Sequence, residues 1–96
     1  MKIVILDGRK MTDRETAHLY LIRKLNLPEY YGKNLGALFD CLCEMNGTQI
    51  VLTYVSEMKD NLRRYADNII NVFEAAEEKN PKISFISEQL VDELKF

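Results

Sequence analysis

Asp40 and Glu44 stand four residues apart, the spacing that sets two side chains on one face of a helix. Two carboxylates so placed could hold a divalent cation, work as an acid–base pair, or present a negative surface to a basic partner. A cation site wants more oxygen ligands than two, and a solvated helix face is the plain alternative. Tyr30, Tyr31 and Phe39 nearby favour a binding surface, because tyrosine buries a large ring in interface cores and still hydrogen-bonds. The chain has 2 cysteines, Cys41 and Cys43, and 1 histidine, His18. Cys41 and His18 are the residue types of a thiol nucleophile and its base. Cys41 sits mid-helix, however, away from the helix N-terminus that lowers a thiol pKa, and reads as a small half-buried thiol. Cys43, about 200° further round, reads as solvent-facing. His18 reads as surface or boundary packing. One histidine and two closely spaced cysteines do not make a zinc site or a disulfide framework. Asp7-Gly8-Arg9 offers a single glycine where a phosphate cradle needs several.

The elements that must position these residues follow from periodicity and turn chemistry. Residues 2–6 are β-branched and apolar, which predicts a first strand buried on both faces. Thr12 and Glu15 fit a capping box for a helix over about 13–25, stopped at Leu27-Pro28. Asn34 is a good N-cap for a second helix, whose apolar stripe is Leu35, Leu38, Phe39, Leu42 and Met45. Phe39 thus has a core reading beside its interface one. Asn46-Gly47 closes that helix, with Gly47 in the left-handed region. A second strand over 49–54 follows, then a short helix near 57–64 capped by Ser56, and a longer one from Asp67 to about 79. Asn80-Pro81 ends it, and residues 82–86 form a third strand with Ile83 and Phe85 on one side. Residues 87–96 suit a final helix with Leu90, Val91 and Leu94 inward, or an extended edge. Helical crossovers join parallel strands, so the fold class is α/β: one domain over 1–96, built on a small three-stranded parallel sheet.

Composition agrees with one modest globular domain. The chain has 96 residues, 47% hydrophobic and 29% charged, with 4 Gly and 2 Pro. Neither a disordered nor a collagen-like class fits. No apolar run is long enough for a transmembrane helix or a signal peptide, so no membrane association and an intracellular setting are expected. The net charge of −2 is unevenly spread: residues 1–24 are net basic and residues 25–58 net acidic. No basic stripe with interleaved aromatics suggests nucleic-acid binding. An acidic middle segment suits a basic protein partner.

That middle segment is also where a family resemblance lies. Leu27-Pro28-Glu29-Tyr30-Tyr31-Gly32-Lys33-Asn34-Leu35-Gly36-Ala37-Leu38-Phe39-Asp40-Cys41-Leu42 closely resembles the signature of the barstar family, bacterial cytoplasmic inhibitors of secreted barnase-type ribonucleases. The resemblance implies a barstar-like fold and a protein that is not an enzyme and needs no cofactor or metal. It implies a monomer when free that forms a 1:1 complex with a ribonuclease. The second helix and the loop before it would plug the basic cleft that binds RNA phosphates. On this resemblance Asp40 is the phosphate-mimicking carboxylate, Tyr30 packs near the enzyme's catalytic histidine, and Gly32 allows close backbone approach. Asn34 serves as cap and contact, and Phe39 replaces a family tryptophan. Tyr31 is support. Glu44 joins the set as the second carboxylate of the helix face. Gly36, Lys33 and Ala75 depart from the pattern, standing where the family carries acidic residues. They imply weaker binding to barnase and a partner with a less basic rim. The alternative reading is a barstar-fold protein that binds some other protein and inhibits no ribonuclease.

Overall fold

Three parallel strands order as β1-β2-β3 in the computed structural model, which describes residues 1–87. β1 covers Lys2–Asp7, β2 Thr48–Thr53 and β3 Ile83–Ser87. Helices α1 (Arg14–Leu25) and α2 (Leu35–Cys43) join the first two strands. Helices α3 (Val55–Leu62) and α4 (Arg64–Lys79) join the second and third. Both connections step across the sheet in the same direction. Right-handed crossovers therefore carry all four helices to one face. The register puts Val4 beside Ile50 and Ile50 beside Phe85, and all three are buried under the helices with Leu6, Leu52 and Ile83. Leu21, Leu38, Leu42, Ile69 and Phe73 complete this core from the helix side. Phe73 stacks on Phe85, ring centroids 4.9 Å apart.

Among the described residues only one face of the sheet is covered, which corrects the expectation for the first strand. β1 is an edge strand buried on one face, and Ile3 and Ile5 remain 62% and 54% exposed on the other. Its apolar run reflects β-propensity at those two positions, not double burial.

The helix starts differ from three expected caps. Asp13, not Thr12, caps α1, its carboxylate accepting from the Thr16 N–H at 2.8 Å. α3 begins at a left-handed Tyr54 with no side-chain cap, so Ser56 lies inside the helix. Asp67 likewise lies within the first turn of α4, which turns out of α3 at Arg63, another non-glycine residue with positive φ. α1 stops one residue before Leu27-Pro28: Asn26 takes the left-handed conformation, and Leu27 N–H reaches back to Ile22 O at 3.0 Å. Gly47 has the expected positive φ, but α2 already ends at Cys43. The helix expected over residues 87–96 lies outside the described residues, apart from Ser87 at the end of β3.

Candidate partner-binding site

α2 and residues 28–33 form the candidate site, and the chain secures both ends of the helix. At its start the Asn34 side chain accepts from Ala37 N–H at 2.8 Å and donates to Gly32 O at 3.3 Å. One amide thus caps α2 and braces the loop. At its end the buried Asn80, just beyond α4, donates to Leu42 O at 2.9 Å and Met45 O at 2.8 Å. Met45 O lies just past the helix end, and Leu42 O, which also accepts from Met45 N–H at 3.2 Å, gains a second donor. The side-chain oxygen of Asn80 accepts from Lys82 N–H at 3.0 Å, so a single residue ties α2 to the start of β3. Sequence reading treats Asn80 only as a helix stop; the signal for its role is a long-range contact no local pattern carries.

Four of the six expected site residues line one cleft of about 290 Å³: Tyr30, Gly32, Asp40 and Glu44, with Tyr31, Ala37 and Cys41. Tyr30 is 83% exposed. Asp40 and Glu44 are exposed, and among the described residues neither carboxylate has an ion pair or hydrogen bond. Gly32 is not held by a left-handed backbone; a Cβ there would press on the Asn34 amide at 3.1 Å. Asn34 lines a larger neighbouring cleft of about 570 Å³, with Lys33, Arg14, Glu15, His18 and Tyr65. Phe39 lies partly buried against the core and lines neither cleft, which favours its packing role. Gly36 and Ala75 are exposed, as positions able to meet a partner must be.

The thiol and imidazole are arranged for structure. Burial pushes the Cys41 thiol above its ordinary pKa, and the nearby Glu44 and Asp40 charges push the same way. Cys43 is partly buried against the core and does not face solvent as expected. His18 is 2% exposed, against the expected boundary position. Its Nδ1 lies 2.6 Å from the Tyr31 hydroxyl and its Nε2 2.6 Å from the Tyr65 hydroxyl. Both ring nitrogens are therefore engaged by tyrosines, and neither serves as a base for Cys41. Burial lowers the His18 pKa and the Lys33 charge lowers it further. Burial raises the Tyr31 phenol well above its ordinary value. Among the described residues no three His, Cys, Asp or Glu side chains gather as a metal site, and no helix is long and apolar enough to cross a membrane.

Comparison with known proteins adds a family. The family model described as Barstar (barnase inhibitor) matches residues 1–88. A protein of Bacillus subtilis (strain 168) named "Putative ribonuclease inhibitor YrdF" is 37% identical over 81 residues, covering 82% of this chain and 89% of that protein.

Proposed function

Because the chain belongs to the barstar family, we propose that it inhibits a secreted barnase-type ribonuclease by inserting the Asp40 face of α2 into the enzyme's active-site cleft. The observation that carries this reading is the shared cleft of Tyr30, Gly32, Asp40 and Glu44, with both carboxylates exposed and internally unpaired. A cleft that binds RNA phosphates is basic, and a fixed carboxylate on a rigid helix offers it an anion without the cost of ordering one. Asp40 makes the central contact. Tyr30 supplies the exposed aromatic ring, and Asn34 and Gly32 hold the loop close to the enzyme. Glu44 extends the negative face by one helical turn. No bond is made or broken; the complex is 1:1, blocks by occupancy, and forms where the inhibitor is kept, in the cytoplasm. Long-range attraction between the acidic face and the basic cleft speeds encounter and fades with salt.

The test is to titrate the protein into barnase while following RNA cleavage, at low salt and at about 0.15 M salt. The expected result is saturable inhibition that weakens with salt. Asp40→Ala should fold normally and lose at least about 2 kcal/mol of binding, as a central interface residue does. Lys33 and the exposed Gly36 and Ala75 leave this face less acidic than the family pattern, so a dissociation constant for barnase above about 1 nM is expected. The same three residues favour one other reading, a barstar-fold protein bound to a different protein. No inhibition by a folded chain at micromolar concentration would select it.

A further inference from the structure

We infer that His18 is a positioning residue: it holds Tyr31 from one side and Tyr65 from the other, and so sets the pose of the loop 28–33 that presents Tyr30. This rests on the binding role proposed for that loop.

Among the described residues, the loop's other hydrogen bonds are local. Tyr31 N–H donates to Pro28 O at 3.0 Å, and Asn34 reaches Gly32 O at 3.3 Å. The bond between the Tyr31 hydroxyl and His18 Nδ1 is the one that ties these residues to another part of the fold. His18 belongs to α1, and its second nitrogen carries the tie on to Tyr65 of α4. The three rings pack at tilted and edge-on angles, centroids 5.7 Å and 6.0 Å from the imidazole. Tyr31 is 6% exposed while the adjacent Tyr30 is 83% exposed, so anchoring one ring inside turns the other out.

A neutral imidazole has one N–H and one lone pair, so one tyrosine hydroxyl accepts from it and the other donates to it. Protonation turns both nitrogens into donors, and the hydroxyl that donated rotates its hydrogen away and accepts instead, so both bonds persist. The groups facing the ring from the packed elements are Arg14 and Glu15 of α1, Lys33 of the loop, Cys41 of α2 beside Tyr31, and Tyr65 of α4 with the Arg14 guanidinium 4.4 Å over its ring. Lys33 and Arg14 oppose an imidazolium, and Glu15 alone favours it. Burial and these two cations therefore favour the neutral imidazole.

Backbone ¹⁵N relaxation of the full chain, wild type against His18→Ala, Tyr31→Phe and His18→Gln, reads the loop pose directly. Order parameters for residues 29–33 should sit near about 0.85 in the wild type and fall toward about 0.6 in His18→Ala and Tyr31→Phe. His18→Gln keeps a neutral donor and acceptor and should restore them. Tyr31→Phe covers the case in which His18→Ala does not fold. Barnase inhibition should weaken about tenfold in the two loosened variants and recover in His18→Gln. Unchanged order parameters in both would overturn the inference. A loosened loop with undiminished inhibition, where Asp40→Ala abolishes it, would overturn the clamp's part in binding and leave the inhibitor reading intact. If the wild type does not inhibit barnase, the inhibitor reading falls, and the order parameters still decide whether His18 sets the pose.

Discussion

At the scale of single residues, charge and helix chemistry meet at Gly36. It lies in the first turn of α2, exposed, and a Cβ there would meet only Asn34 Oδ1 at 3.4 Å, an ordinary contact. Gly36→Ala should raise stability by about 0.5–1 kcal/mol by narrowing the unfolded ensemble, read as a higher urea midpoint at unchanged slope. Gly36→Asp adds a carboxylate at the positive end of the helix and on the acidic face, so it should also tighten binding to barnase. Tightened folding without tightened binding would move the barnase contact away from this turn. Asn80 is the opposite case, a polar residue whose worth is internal. Asn80→Ala removes the side-chain donor to the Met45 carbonyl and the second donor to the Leu42 carbonyl, and should cost about 1–3 kcal/mol. Asp40, Tyr30 and Gly32 stand out as candidates in the sequence because their motif is contiguous, and they line one cleft. The roles of Asn80 and His18 are not legible there, because their partners lie 38 and 35 residues away for Asn80 and 13 and 47 away for His18.

At the scale of elements, strand and helix order, the Asn34 cap and the ends of α1 and α4 were readable from the sequence, and the starts of α3 and α4 were not. Lys33, Tyr54 and Arg63 all take positive φ without being glycine or asparagine. Residue type gives no warning of such positions, since tertiary packing imposes the conformation against local preference. Ser56 and Asp67 therefore made better caps on paper than in the fold. The same packing brings His18 under Tyr31 and Tyr65, which links acidity to stability. The imidazole has a folded pKa below its ordinary 6.5, so the unfolded chain binds the extra proton first. Stability from this group is complete above about pH 6.5 and declines as the pH falls toward the lower folded value. Asp7 adds a second, lower window. Its hydrogen bond from Arg9 holds its carboxyl below 3.8, so its contribution is lost only as the pH falls past that value. Urea midpoints measured from pH 7.5 down to about 5 should fall for the wild type and stay level for His18→Gln across the histidine window. A wild-type midpoint that rises on acidification would mean the imidazolium is the form the fold prefers.

At the scale of the whole molecule, one topological fact divides the sheet into two surfaces with different energetics. Strands in the order β1-β2-β3 with crossovers of one hand send α1 through α4 to the same side. The far side carries Ile5, Val51 and Ile86 in register across all three strands, with Ile3 one step along β1. These positions are neighbours across the strands, no helix among the described residues lies on their side, and Ile86 is 44% exposed. β3, at the other edge, is guarded differently: the Glu77 carboxylate accepts from Phe85 N–H at 2.8 Å, occupying a donor that another chain's strand could use. The two faces should then respond unequally to comparable truncations. Leu52 is fully buried on the helix side, and Leu52→Ala should cost about 2–5 kcal/mol. Ile5→Thr keeps the β-branch on an exposed face and should cost less than about 1 kcal/mol. Urea unfolding of both variants at two protein concentrations measures the contrast. An Ile5→Thr cost that approaches the Leu52→Ala value and grows with concentration would mean that a second copy covers this face in solution. A large cost independent of concentration would place its cover within the chain itself.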